Sequence, residues 1–583
     1  MSIVCEVVYV PLPLYEDGVT TNSTFDLSVT SYRQVSLSII QTALKHDGIP
    51  LVIELRTQRI RVPFEYWKAV RKTAERCKWE FHESSTPLFV LELLDYYVKK
   101  RRVVAMEEIR ERVTPLVFDS LRPYQQTMVK IAVERNDLHV ADEMGTGKTF
   151  IALSVARYWN EHTLIITMPN IMLKWYDETM NRMDWTSEQV VVCKSSNKVL
   201  KCDLDDSVKV LIVSYGILKN RQVREKIKKW TKTMIVDECH QAKNLETSRT
   251  QAVLDISQNA SHRVILSGSP FEKSKEIFSQ MKMLDPKEVP HFFHYDVKRS
   301  IKSHDDFASR YCEPNREQFK GARPEWVFKG NNYQEELKVL VAQFMMRRLK
   351  KDVCSQLPAK IRHRHDLPEV KNSGIMQILQ AMNAGKVVDR SKYTEAIGLT
   401  CEYKLPLVID YFKALLESKT NQKMVWFFHH MKMKEALMEL CDEYGVQYIV
   451  IDGSVGAEKR HELQGKFQTE DECKVAILSI KASGTGTEFT AASTVFMTEI
   501  LPTAADMFQA EDRCHRIGQE KTVNVTYLVL PKSVDETHVQ LMVRKYTRSS
   551  AVMDQEGQTV TLERQSSSSS SSNKKRKFEI VSE

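Results

Sequence analysis

Leu138-His139-Val140-Ala141-Asp142-Glu143-Met144-Gly145-Thr146-Gly147-Lys148-Thr149 decides the fold. A short apolar run ends in a turn carrying two glycines, and Phe150 to Trp159 then read as a helix. Strand, glycine loop and helix in that order form a cradle whose backbone N–H groups and helix N-terminus face phosphate oxygens. Gly145 and Gly147 permit close approach, Lys148 reaches the β- and γ-phosphates, and the Thr149 hydroxyl takes a place on Mg²⁺. Asp142 stands where the usual G-x-x-x-x-G-K-[ST] pattern has its first glycine, so the flanking strand and helix carry the assignment as much as the motif does.

The same rhythm extends in both directions. Apolar runs at Leu138–Ala141, Leu164–Met168, Lys209–Val213, Thr233–Val236 and Arg263–Leu266 alternate with longer amphipathic stretches, the pattern of parallel α/β units. A second series follows at Met424–Phe428, Tyr448–Ile451, Val475–Ser479, Thr494–Thr498 and Val523–Val529, after a polar, mixed stretch over 358–400. The expectation is two tandem parallel-sheet lobes, 113–368 and 369–555. Ahead of them, residues 1–112 read as a small α+β accessory region with strands at Val4–Val10 and Pro50–Leu55. Helical patterns there run over Phe64–Cys77 and around Lys99–Arg112. Residues 556–583 end in seven serines and the cluster Lys574, Lys575, Arg576 and Lys577. This composition reads as a disordered tail with a nuclear-import type signal, and the nucleus is the expected location.

Composition removes several classes. With 583 residues, 42% hydrophobic and 27% charged, most of the chain is expected to bury a core. The eleven cysteines include no C-x-x-C pair, against a disulfide framework or a zinc module. His291 and His294, His363, His365 and Asp366, and the doublet His429-His430 are read as ordinary histidine sites rather than metal ligands. No apolar run approaches the roughly 20 residues that span a bilayer, and the first residues do not have the form of a secretory signal, so an intracellular protein is expected. The balance of 84 basic and 76 acidic residues, +8, fits a polyanionic partner without identifying one.

The strand Thr233–Val236 delivers Asp237-Glu238-Cys239-His240 at its carboxyl end, where ligands bind in open α/β sheets. Asp237 is read as holding Mg²⁺ through its water shell, and Glu238 as orienting the water that attacks the γ-phosphate. Gln125, 23 residues before Lys148, is placed to read an adenine edge, which favours ATP. Leu266-Ser267-Gly268-Ser269-Pro270 sets small hydroxyl residues where phosphate site and polymer could communicate. In the second series Gly484-Thr485-Gly486-Thr487 follows a strand, and Gln509-Ala510-Glu511-Asp512-Arg513-Cys514-His515-Arg516 opens as a helix. Arg513 and Arg516, three apart, share a face and are read as arginine fingers aimed at a triphosphate held by the first lobe.

Taken in order, LRPYQ, DEMGTGKT, MPNIMLKW, VSYGIL, DECHQAKN, LSGSP, MRRLKKDV, SGTGTEFTAAS and QAEDRCHRIGQ resemble the SNF2 family of superfamily 2 helicase-like ATPases over about residues 115–550. RYCEP, RRLKKDVCSQLPAK and WFFHHMKMKEAL followed by IDGSV resemble its annealing-helicase, fork-remodelling branch. The resemblance implies two RecA-like lobes and a DNA-dependent ATPase that acts on duplex, forked or branched DNA with ATP and Mg²⁺; replication or repair proteins are further candidate partners, and the oligomeric state is left open with a monomer favoured. Its catalytic set is Lys148, Asp237, Glu238, Gln509, Arg513 and Arg516. Nucleotide is held by Arg122, Gln125, Asp142, Glu143, Met144, Gly145, Thr146, Gly147, Lys148, Thr149 and Gly486, and Mg²⁺ by Thr149 and Asp237. The DNA contacts it implies are Lys174, Ser214, Tyr215, Ser267, Lys423, His429, Ser479, Lys481 and Ser483. The basic run Lys219–Lys232 is read either as a phosphate track or as a solvated helix face. The chain departs from the family at Pro502-Thr503-Ala504 and Glu272-Lys273, positions tied to coupling, and no nuclease or zinc-finger extension is expected. Nucleosome remodelling by the same engine, and a DNA-binding scaffold that does not translocate, stand as the alternatives.

Overall fold

The computed structural model describes residues 4–10, 24–30, 37–49, 51–54, 59–63, 67–77, 80–82, 96–97, 99–271, 273–287, 289, 303–312, 314–317, 325–328, 332–354, 356–370, 374, 390–418, 422–481, 487–553 and 562–565. In chain order its strands are β1 (Val4–Val10), β2 (Thr24–Thr30), β3 (Val52–Glu54), β4 (Arg59–Pro63), β5 (Glu80–His82), β6 (Asp137–Val140), β7 (Thr163–Thr167), β8 (Val190–Cys193), β9 (Val210–Ser214), β10 (Thr233–Val236) and β11 (His262–Leu266). They continue as β12 (Pro314–Glu317), β13 (Glu325–Phe328), β14 (Met345–Met346), β15 (Lys360–Asp366), β16 (Met424–Phe428), β17 (Gln447–Ile451), β18 (Cys473–Ser479), β19 (Thr494–Met497), β20 (Val523–Val529) and β21 (Glu563–Gln565).

Two seven-stranded sheets dominate. The first has the order β14-β6-β11-β10-β7-β9-β8 and is parallel throughout. Its strands are apolar on both faces because helices cover both. Leu164 and Ile166 join one core cluster and Ile165 the other, and Met234 and Val236 alternate with Ile235 in the same way. Register aligns the carboxyl ends: Val236 lies beside Ile166 and Ile265, and Thr167 beside Ser214. One rim of the sheet therefore carries the loops that follow β6, β7, β9, β10 and β11.

The second sheet, β17-β18-β16-β19-β20-β15-β21, is also parallel and repeats this logic. Val425 and Phe427 face one cluster while Met424, Trp426 and Phe428 face the other. There Trp426 stacks on Phe496 with centroids 4.3 Å apart. The α/β class and the two lobes are as expected, with strand ends moved by one or two residues.

Several boundaries differ. The polar stretch 358–400 contains β15, which pairs with β20, so the second sheet starts before residue 369. Its alternating charged and histidine side chains concealed the strand: Lys360, Arg362 and Arg364 are used in ion pairs and His363 bonds Asn524, so no apolar face shows. Glu563–Gln565, placed in the tail, pairs with β15; the serine run and basic cluster lie outside the described residues. The charged helix expected around Lys99–Arg112 is interrupted: Lys99 and Lys100 are helical, 101–105 are not, and a helix runs over Met106–Val113, where Ile109 and Val113 enter the first lobe's core. Lys100 pairs with Asp137 at 2.8 Å and Asp285 at 2.9 Å, tying this segment to the first lobe. Upstream, β3-β4-β2-β1-β5 form a separate sheet, with helices Leu37–His46 and Trp67–Cys77 between its strands. Among the described residues no helix is long and apolar enough to cross a membrane.

Candidate active site

The loop after β6 turns through two left-handed glycines, Gly145 (φ +81°) and Gly147 (φ +83°), and enters the helix Lys148–Trp159. Space is tight at both as well. A Cβ on Gly147 would lie 2.3 Å from the Gln125 amide nitrogen, and one on Gly145 would lie 3.0 Å from Cγ of Arg516. The second contact crosses between the lobes: the second arginine of R-x-x-R rests on the glycine loop. Together they bound a cavity of about 400 Å³ lined by Arg122, Gln125, Met144, Gly145, Gly147, Lys148, Thr149, Lys174, Asp237, Glu238, Arg513 and Arg516, among others.

Asp237 is fixed by three donors. Thr167 Oγ1 (2.9 Å) and Trp175 Nε1 (2.8 Å) donate to its Oδ2, and the Glu238 N–H donates to Oδ1 at 3.0 Å. Burial and the adjacent Glu238 charge raise its pKa, against the pull of those donors and of Lys148. Glu238 itself has φ +48°, a strained conformation for a residue with a side chain. Its Oε2 lies 3.2 Å from His240 Nδ1. Burial alone would raise the Glu238 pKa, but His240, Lys148 and Arg513 outweigh it and the net shift is downward. The Lys148 ammonium folds onto the carbonyls of Asp142 (2.8 Å) and Glu143 (3.0 Å), and burial lowers its pKa. Arg513 is 2% exposed and donates to the Thr487 carbonyl at 3.2 Å; burial beside Arg516 lowers its pKa to about 9.

Not every residue expected in the site reaches the cavity. Asp142 is fully buried and is held by Arg348, through Nε at 3.2 Å, Nη2 at 2.5 Å and the backbone N–H at 3.0 Å. The residue standing in for the first glycine therefore anchors the loop. Glu143 accepts the Lys350 N–H at 2.6 Å, and buried Thr146 offers its carbonyl to Tyr124 (2.8 Å) and Gln125 (3.1 Å). The Gln125 amide, expected on adenine, is also engaged at its oxygen by the Arg122 N–H. Gln509 is 5% exposed on the helix Ala504–Glu511 and does not line the cavity. Gly486 lies outside the described residues.

The expected DNA contacts separate more sharply. Ser214 and Ser267 are buried, the latter bonded to His240 Nδ1 at 3.0 Å. Tyr215, 2% exposed, donates its hydroxyl to the Asp237 carbonyl at 2.6 Å, so it braces the Asp-Glu turn from inside. Lys423 precedes β16, at the rim opposite the strand carboxyl ends, and donates to the carbonyls of Phe467 and Glu470 at the end of a helix. Ser214, Ser267 and Tyr215 are thus buried and Lys423 is half-buried. Lys481 is exposed, Ser479 and His429 are half-buried at the carboxyl rim, and Ser483 lies outside the described residues. In the basic run, Arg224 and Lys228 pair with Asp255 and Lys226 donates to the carbonyls of Leu200 and Cys202 at the end of a helix, while Lys219, Arg221, Lys229 and Lys232 are exposed.

Other participants were hidden. Trp175 and Arg348 lie inside quoted motifs but show their partners only in three dimensions. Lys350 Nζ donates to Asp512 Oδ1 (2.9 Å) and the His515 carbonyl (2.7 Å), joining the segment between the lobes to the arginine helix. Lys360 and Arg362 on β15 complete this buried network with Glu511 and Asp512. His430 does have a partner: its Nδ1 is 2.5 Å from Glu499 Oε1, with Cys401 adjacent. His291 and His294 lie outside the described residues.

Residues 124–374 match the SNF2-related domain and residues 407–518 the helicase conserved C-terminal domain. The human DNA annealing helicase and endonuclease ZRANB3 is 32% identical over 443 residues, 73% of this chain and 40% of that protein. The Drosophila melanogaster SWI/SNF-related matrix-associated actin-dependent regulator of chromatin subfamily A-like protein 1 is 29% identical over 483 residues, 81% of this chain and 60% of that protein. The chain thus spans less than two thirds of the length of either. Among solved structures, the Sulfolobus solfataricus SWI2/SNF2 ATPase core in complex with dsDNA covers 74% of this chain and 92% of its own, at 20% identity and a TM-score of 0.35.

Proposed function

Because the chain belongs to the SNF2 family of helicase-like ATPases, we propose that it hydrolyses ATP in a DNA-dependent manner, moves along duplex DNA, and anneals strands or remodels replication forks in the nucleus. The observation that carries this is the cavity shared by the lobes, where Arg516 lies against Gly145 and Arg513 and Arg516 line the same space as Lys148, Asp237 and Glu238. The names and similarity of the annealing-helicase relatives support the choice of branch.

The residues present suit a nucleotide with Mg²⁺. A glycine loop at a helix N-terminus faces the cavity, and two adjacent half-buried carboxylates, one with a raised pKa, form a donor set that a divalent cation would relieve. Thr149 and Asp237 would hold that ion, whose chemistry is to neutralise charge on the phosphate oxygens. The chain's own groups do the rest. Loop N–H groups bind phosphate, Lys148 leaves its carbonyl partners for it, and Glu238 takes the proton side of the attacking water. His240 holds that carboxylate in orientation, and Arg513 and Arg516 stabilise charge that develops on the transferred phosphoryl. Opening and closing of the cleft then moves the lobes relative to DNA, which is gripped through its backbone and so without sequence preference.

The test is the rate of ATP hydrolysis on single strand, duplex, fork and nucleosome, in wild type and Lys148→Ala. Stimulation by forked DNA that is abolished in the variant is expected. Equal rates with and without DNA would remove the motor, and a rate highest on nucleosomes would move the protein to chromatin remodelling.

A further inference from the structure

Four carboxylates line the cleft among the described residues: Glu178, Asp237, Glu238 and Glu488. Asp237 and Glu238 belong to the phosphate chemistry, and Glu178 pairs with Arg182 on its own helix. Glu488 is left over, and it comes from the second lobe, just past the segment SGTG. A single oxygen, Oε1, receives two cations: Lys174 of the first lobe at 2.6 Å and Arg516 of the second at 3.2 Å. Its side chain is 40% exposed and that of Lys174 35%, so both remain reachable from solvent. Lys174 and Arg516, with Arg513 further off, hold the Glu488 carboxyl well below its usual range, at about 2, against the opposing effect of burial.

A carboxylate on these two cations makes the contact that a phosphate oxygen would make with them. It neutralises Arg516, the residue that touches the glycine loop, and adds negative charge to a cavity that must admit a triphosphate. It also ties Arg516 to a lysine for which a nucleic-acid phosphate is an alternative partner. Resting on the DNA-dependent ATPase reading above, we propose that Glu488 is a built-in phosphate mimic that holds Arg516 and Lys174 together without DNA. DNA phosphate claiming Lys174 loosens that hold and frees Arg516 for the nucleotide. Glu488 would then be a positioning residue that sets how strongly hydrolysis depends on DNA. The shared oxygen supplies the coupling: a DNA phosphate on Lys174 brings a second negative charge against Glu488, so the carboxylate is repelled from the cation pair and gives up Arg516 as well.

The experiment compares wild type and Glu488→Gln across ATP concentrations, without DNA and with saturating duplex DNA. A DNA-free kcat/KM about five- to ten-fold higher in the variant, with the DNA-saturated rate within about two-fold of wild type, is the expected result for a coupling of this size. Binding of a fluorescent ATP analogue without DNA should tighten by a similar factor. Glu488→Thr, which shortens the side chain, should behave alike if the amide variant folds poorly. A DNA-free kcat/KM that stays at or below wild type while stimulation is intact, or equal losses with and without DNA, would overturn the mimic. Absence of stimulation in wild type itself would instead refute the DNA-dependent ATPase on which it rests.

Discussion

Asp142 and Arg348 offer the sharpest test, because sequence pattern places Asp142 among the nucleotide contacts whereas the folded chain makes it the anchor of the loop. Arg348→Met removes a guanidinium that donates twice to a carboxylate with no exposed surface and also reaches the Tyr124 carbonyl. Breaking a buried pair by deleting one partner costs about 3–5 kcal/mol, because the remaining charge is left uncompensated. The Arg348 side chain is 14% exposed, and its backbone N–H would still donate to Asp142, so the lower end, about 3 kcal/mol, applies. At about 2–4 °C per kcal/mol for a unit of this size, calorimetry should find the transition of the first lobe about 6–12 °C lower. The KM for ATP should rise about five- to ten-fold as the loop loses its anchor, equivalent to about 1–1.4 kcal/mol. Asp142→Asn combined with Arg348→Met removes the orphaned charge and should recover a substantial part of the loss, a non-additivity of about 1–2 kcal/mol. A transition within about 2 °C of wild type in Arg348→Met, or strict additivity in the double variant, would refute the anchoring role.

Trp175→Phe deletes one of three donors to Asp237, and kcat should fall about ten-fold, near 1.4 kcal/mol, with folding intact by circular dichroism. Tyr215→Phe should lower stability by about 1 kcal/mol and slow hydrolysis, yet leave duplex affinity within about two-fold of wild type by fluorescence anisotropy, since the ring is buried behind the Asp-Glu turn. The hydrogen bond that His430 donates to the Glu499 carboxylate raises the His430 pKa against the effect of burial. This stabilisation is fully present below about pH 6.5 and fades as pH rises through the folded value. The stability difference between wild type and His430→Gln, about 1 kcal/mol or less for a ring one third exposed, should therefore be larger at pH 6 than at pH 9 in urea titrations.

The strand-loop-helix units, the two parallel sheets, the glycine cradle and the Asp-Glu turn were all legible in the sequence. Each is set by local chemistry. Short unbroken apolar runs such as Leu164–Ile166, bounded by polar turns, suit strands buried on both faces, and Gly145 and Gly147 supply backbone angles that other residues resist. β15 was missed because two of its cations, Lys360 and Arg362, find acidic partners about 150 residues away at the end of the arginine helix, an arrangement that periodicity does not reveal. Whether a polar side chain faces inward or outward was likewise decided only in three dimensions. Tyr215, Ser267 and Asp142 carry hydrogen-bonding groups that suit DNA or nucleotide as well as they suit a core, and the choice depends on what packs above them. The meeting of Arg516 with Gly145, and of Glu488 with Lys174, belongs to tertiary structure for the same reason. Charge attraction acts between neighbours in space, and these neighbours are separated along the chain by more than 300 residues.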